Sequence, residues 1–137
     1  MIPQVLVDED IKKWLAIDIP YWDITTNLLP NIMSKGKIYA RQDGIIAGLI
    51  FVQRVFELVG TEFESLIEEG SRVSKKTAIA SIKGDIHNLL QAERLALNLL
   101  GRISGIATQT NHMLQIARKS NPNIRICATR KTVPGLS

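Results

Sequence analysis

Hydrophobic and polar positions switch period several times along the chain, and each switch marks an element. Ile11, Trp14, Leu15 and Ile17 recur at helical spacing behind Asp8-Glu9-Asp10, predicting a helix with acids in its first turn that stops before Pro20. Lys35 to Arg41 alternates as a strand, and Gln42-Asp43-Gly44 reads as a hairpin-type turn into Ile45 to Gly48. Helical spacing returns at Leu49, Ile50, Val52, Val55, Phe56 and Val59 and ends at Gly60. Glu62 to Ile67 and Thr77 to Ile82 read as strands on either side of the turn Glu68-Glu69-Gly70-Ser71, and Lys83-Gly84-Asp85 closes the second and caps a helix.

That helix carries Ile86, Leu89, Leu90, Leu97 and Leu100 on one side, widened by Ala96 and Leu99, and is expected to be largely buried. Gly101 to Gly105 is expected to break it, with Ser104-Gly105 capping a further helix, Ile106 to Ser120. The core face of that second helix holds Ile106, Thr110, Met113, Leu114 and Ala117. Asn121-Pro122-Asn123 then leads into Ile124-Arg125-Ile126-Cys127, read as a buried strand that brings Arg130 and Lys131 to a Pro-Gly turn. Helix, short loop and apolar strand form the approach to a parallel α/β unit.

Composition adds limits. With 137 residues, 45% of them hydrophobic, the chain can build one ordinary domain. Its net charge of +4 is spread over pairs such as Lys12-Lys13, Lys75-Lys76 and Arg118-Lys119, with no basic block interleaved with aromatics. A small anionic substrate fits this balance better than nucleic acid. Cys127 is the only cysteine and lies in an apolar run, which suggests a buried thiol in a reducing compartment. No apolar run approaches the ~20 residues of a membrane span and the N-terminus lacks a leader pattern, so a cytoplasmic protein is expected.

Few positions suggest chemistry on residue type alone. Arg130 beside Lys131 sets a guanidinium fork next to a point charge, either a receptor for carboxylate or phosphate or two solvated cations. Glu93 and Arg94 sit at the edge of an apolar stripe, where charge is costly unless paired or aimed at a ligand; Arg94 either snorkels or makes such a contact. Asp23 either caps the short turn Ile24 to Leu29 or serves as a ligand. His112 has no nearby acid or cysteine and reads as a surface or partly buried residue.

Three stretches carry a more specific signal together. Thr129-Arg130-Lys131-Thr132-x-Pro134-Gly135-Leu136 resembles the TRKTxPGL signature of the quinolinate phosphoribosyltransferases, also called nicotinate-nucleotide pyrophosphorylases. Gln91 to Thr108, with Ala92-Glu93-Arg94, Leu97-Asn98 and Ser104-Gly105-Ile106-Ala107-Thr108, resembles that family's helix-turn-helix. Asp18 to Thr26 is similar to its early acidic element, with Trp22 where the family has glycine. Their order and spacing make the combination specific.

The resemblance implies an α+β N-terminal domain, a mixed sheet with packed helices over residues 1–103, leading at 104–137 into the first strand of an α/β barrel whose remainder is not in this chain. It implies an enzyme that converts quinolinate and PRPP to nicotinate mononucleotide, pyrophosphate and carbon dioxide in NAD biosynthesis, with this portion alone inactive. Substrate would be bound by Arg94, reaching into a neighbouring subunit, and by Thr129, Arg130 and Lys131. Magnesium would be held by acids outside this chain, and the assembly would be a homodimer or higher homo-oligomer. Asp18-Ile19-Pro20-Tyr21 looks closer to the ModD-type pyrophosphorylases linked to molybdenum transport, and Ala128 stands where many quinolinate enzymes have aspartate. A non-catalytic dimerisation or regulatory module is the alternative from another class. Glu68 to Gly84 looks like a β-hairpin of the family's N-terminal domain; biotinyl carriers have similar hairpins, but the methionine that flanks their lysine is missing beside Lys75-Lys76.

Overall fold

The computed structural model describes residues 3–19 and 28–129. In order these form α1 (Gln4–Asp18), β1 (Met33–Tyr39), β2 (Gly44–Ile45), α2 (Leu49–Leu58), β3 (Glu62–Ser65), β4 (Arg72–Val73), β5 (Ala78–Asp85) and α3 (Ile86–Arg118). The centre is α2, the most apolar helix, whose Val52, Val55 and Phe56 are removed from solvent. It touches α1, α3 and β3, so burying it joins the layers. Phe56 stacks on Phe63 of β3 with ring centroids 5.9 Å apart, an aromatic pairing worth about 0.5–1.5 kcal/mol beyond its buried area.

The main sheet is antiparallel with order β1-β5-β3. Its inner face packs Ile38, Ala80 and Ile82 toward the helices. Its outer face is polar, with Lys35, Lys83 and Glu62 in one rung and Lys37, Ser81 and Glu64 in the next. Lysines on β1 discourage pairing with another sheet at that edge. Gly84 is required by a close approach: a Cβ there would lie 2.6 Å from Cγ2 of Thr61. Thr61 is buried, and its hydroxyl and N–H both donate to the Phe56 carbonyl, at 2.7 and 3.0 Å, closing the end of α2.

Several expectations change. Helix α1 begins at Gln4, one turn earlier than expected, so Asp8, Glu9 and Asp10 lie past its first turn. Gln42-Asp43-Gly44 does not fold β2 back on β1. Instead β1 pairs with β5, the ladder continues through Ala40 and Thr77, and β2 pairs with β4 in a separate sheet. The Asp43 carboxylate accepts from Lys75 N–H at 2.8 Å, tying the loop to the Ser74–Thr77 turn rather than closing a hairpin. Glu68 to Gly84 is no hairpin either, because β4 and β5 belong to different sheets. Strand β5 continues through Lys83 and Gly84, and Asp85 caps α3 by accepting from His87 N–H at 2.9 Å.

The expected break at Gly101–Gly105 is absent: α3 runs unbroken for 33 residues. A helical glycine costs about 1 kcal/mol against alanine, and packing of Ala92, Ala96 and Leu100 on the core, with the contacts of Ser104 and Thr108 described below, outweighs it. Beyond Leu100 no residue of the helix is fully buried, and Ile106 and Met113 are exposed rather than part of a core face. Ile124 to Cys127 is an exposed coil, not a buried strand, and the Cys127 thiol is exposed with it. A strand needs a neighbouring strand for its backbone groups, and among the described residues the only backbone hydrogen bond of this run is a local turn, Ile124 N–H donating to the Asn121 carbonyl at 3.2 Å.

Candidate functional site

Arg94 lies three turns into α3, with its side chain 71% exposed. The expected placement at the edge of the buried stripe is thus shifted outward, because Ala92 and Ala96 face the core on either side of it. Its one ion pair among the described residues is with Asp18, the last residue of α1, whose Oδ1 lies 3.6 Å from Nη1. That is an ion pair without a hydrogen bond, and Arg94 makes no hydrogen bond to another described residue. An exposed pair of this kind contributes about 0–1 kcal/mol to stability.

The surface of α3 near Arg94 opens into two grooves. One, of about 440 Å³, runs between α3 and β1 and is walled by Leu90, Glu93 and Leu97 opposite Lys37 and Tyr39. The second, of about 380 Å³, continues along Leu97, Gly101 and Gly105 toward Asp43 and Gly44. Arg41 lines both. Arg94 itself lines neither groove, although its helical neighbour Leu97 lines both. Sequence reasoning missed Arg41, whose signal was a cation placed where the alternating run of β1 stops.

The segment under the second groove is held by two hydroxyls of α3. Thr108 Oγ1 accepts from Ile45 N–H at 2.9 Å and donates to the Ile45 carbonyl at 3.4 Å. Ser104 Oγ treats Ala47 in the same way, at 3.0 and 3.2 Å. Between them Ile46 turns its N–H and carbonyl to the other side, toward Ser71 and Gly70. Alternate residues of an extended segment bond in opposite directions, so the two hydroxyls stand in for a neighbouring strand. The fit is close: a Cβ at Gly44 would meet Thr108 Oγ1 at 2.8 Å, and one at Gly48, which holds φ +94°, would meet Ile103 Cδ1 at 2.8 Å. Ser104 was expected as a helix cap; Ser104 and Thr108 are instead the clamp between α3 and β2.

Of the substrate-binding residues read from the sequence, the structure places Arg94 and Thr129. Thr129 is exposed in the coil that follows α3. Arg130 and Lys131 lie outside the described residues, as do Trp22, Asp23 and the following threonines. Glu93 is exposed and forms no ion pair among the described residues, and His112 is exposed.

Residues 23–104 match the family described as Quinolinate phosphoribosyl transferase, N-terminal domain, and the chain belongs to that family. It is 40% identical over 129 residues to a probable nicotinate-nucleotide pyrophosphorylase [carboxylating] of Methanocaldococcus jannaschii, covering 93% of this chain and 45% of the relative. It is 39% identical over 138 residues to one from Synechocystis, covering 98% of this chain and 46% of the relative. The chain therefore spans about half the length of the curated relatives it matches. Among solved structures it resembles NadC from Streptococcus pyogenes, with TM-score 0.87 and 30% identity over 98% of this chain and 50% of that one. It also resembles the nicotinate-nucleotide pyrophosphorylase of Francisella tularensis, with TM-score 0.81 and 27% identity over 87% and 43%. No helix among the described residues is long and apolar enough to cross a membrane.

Proposed function

We propose that this chain is the N-terminal half of a phosphoribosyltransferase that converts quinolinate and PRPP to nicotinate mononucleotide, pyrophosphate and carbon dioxide. Half-length matches to relatives named nicotinate-nucleotide pyrophosphorylase [carboxylating] support the reaction class. The observation that carries the site is Arg94, an exposed guanidinium on a continuous helix whose one ion pair among the described residues, with Asp18, leaves its outer side open. Quinolinate is a dianion, and a fork-shaped cation offers its carboxylates paired hydrogen bonds. In this reading Arg94 completes a site in a neighbouring subunit of a homodimer, where Thr129, Arg130 and Lys131 also contact substrate.

The proposed domains, 1–103 and 104–137, meet inside α3, which they share as one continuous helix. Among the described residues no group of three or more His, Cys, Asp and Glu could hold a metal ion. The magnesium implied by the resemblance would be held by acids outside this chain.

The test uses the full-length protein and two protomers, Arg94→Ala and Arg130→Ala. Quinolinate- and PRPP-dependent formation of nicotinate mononucleotide is expected from the wild type, and at sub-saturating quinolinate each altered homodimer should be nearly inactive because its quinolinate KM has risen. Mixed dimers contain one site with both arginines, so activity should return toward half that of wild type. A verified mixed dimer that stays inactive rules out the shared site, and a wild-type protein without turnover rules out the reaction.

A further inference from the structure

Asp18 occupies a position that its own helix disfavours. It is the last residue of α1, where the carbonyl ends leave a partial negative charge that a carboxylate opposes. The last turn of α1 holds no basic residue to offset it. The backbone there is closed by Ile19 N–H, which donates to the Leu15 carbonyl at 2.8 Å, and an ionised carboxylate, which only accepts, cannot cap the remaining carbonyls. Yet the Asp18 side chain is only 25% exposed, and it faces Arg94 of α3 with Oδ1 3.6 Å from Nη1.

The exposures of the two partners differ in a way that suits orientation more than stability. Asp18 is largely covered and therefore held in place, whereas Arg94, at 71% exposure, remains open on its outer side. Only Nη1 faces the carboxylate. A long arginine side chain loses considerable rotamer freedom when it is fixed on a ligand, and a carboxylate beside one terminal nitrogen of the guanidinium removes part of that freedom beforehand.

From this juxtaposition we propose that Asp18 is a positioning residue that aims the Arg94 guanidinium at the dianionic acceptor substrate. The inference rests on the reading of Arg94 under the proposed function. Its sign separates it from simple electrostatics. Removing a carboxylate beside a dianion site strengthens binding by charge alone, whereas loss of positioning weakens it.

The experiment compares Asp18→Asn, Asp18→Glu and Arg94→Ala in the full-length protein, with KM for quinolinate and for PRPP, kcat and Tm measured for each. Asp18→Asn should raise the quinolinate KM about 3- to 10-fold while the PRPP KM stays within 2-fold and Tm does not fall. Asp18→Glu, which keeps the charge on a longer arm, should recover part of the loss. Arg94→Ala should raise the quinolinate KM further, and Asp18→Asn added to it should have no additional effect. If Arg94→Ala raises KM but Asp18→Asn leaves it unchanged or lowers it, the positioning role is overturned and the reading of Arg94 stands. If neither changes KM, both fail. A fall in Tm without a change in KM marks Asp18 as structural and overturns the proposal.

Discussion

Arg54 of α2 grips Asp8 of α1 through both carboxylate oxygens, Nε to Oδ1 at 2.9 Å and Nη2 to Oδ2 at 2.8 Å. Its remaining arm donates to Glu57. The fork therefore joins two helices that the apolar core also holds, and the hydrogen bonds from Arg54 keep the Asp8 carboxyl below its ordinary pKa, while those to Asp8 and Glu57 raise that of Arg54.

The sign of the resulting pH dependence follows from the depressed carboxyl. A group whose folded pKa lies below its unfolded value adds stability above the unfolded value, and that stability is lost as pH falls through the folded one. Chemical unfolding between pH 7 and pH 2 should therefore show stability falling at the acid end. Asp8→Asn should flatten that fall, and a curve as steep as wild type would leave the pair without a role in it.

Glu69 caps α2 from a distance in sequence, its two carboxylate oxygens accepting from the N–H groups of Gly48 and Leu49 at 2.5 and 2.9 Å. The first N–H groups of a helix lack intrahelical partners, and a negative charge there also suits the dipole. Glu69→Ala should cost about 1–2 kcal/mol in urea unfolding, and Glu69→Gln less. No change for Glu69→Ala would mean that water caps α2 equally well.

Ser104→Ala and Thr108→Val each leave an N–H and a carbonyl of the β2 segment without a partner, at Ala47 and Ile45 respectively. Each should cost about 1–3 kcal/mol. Hydrogen exchange should quicken locally: Ala47 responds to the change at Ser104, and Ile45 to that at Thr108. Equal acceleration of all amides would indicate global destabilisation instead.

Lys76 holds φ +73°, the left-handed region, while its N–H donates to the Ala40 carbonyl at 2.8 Å. A side chain there is strained by about 1–2 kcal/mol, part of which glycine gives back through a more flexible unfolded chain. Lys76→Gly should raise stability by about 0.5–1 kcal/mol, read as an upward shift of the urea midpoint at constant slope. A lowered midpoint would show that the lysine side chain makes contacts that outweigh the strain.

Local patterns were legible and pairings were not. The helical spacing of Leu49 to Val59 and the stop at Gly60 located α2 to within a residue, because both are written in consecutive side chains. Arg94 was singled out by its motif, and its exposure had to come from the structure. Turn residues at Gln42-Asp43-Gly44 suggested a hairpin, yet β1 found its partner about forty residues onward, a choice made by burial on β5 rather than by the turn. Gly101 and Gly105 looked like a break for the same reason, since the hydroxyl contacts that hold α3 straight reach residues nearly sixty positions away. Ile124 to Cys127 has strand chemistry without a neighbour to realise it.

At 1.5 Å per residue the 33 residues of α3 form a rod about 50 Å long, rooted in the sheet at Asp85 and clear of the core past Thr108. Such a rod is a lever. A tilt of about 5° at its root carries the far end roughly 4 Å, on the helical rise just quoted. The Ser104 and Thr108 hydroxyls are the last side-chain hydrogen bonds between this helix and the β2 segment, about two thirds of the way along, so removing them should free the tip more than the root. The direction in which the chain leaves Arg118 is thus set in part by two hydroxyl groups of α3 bonded to the β2 segment.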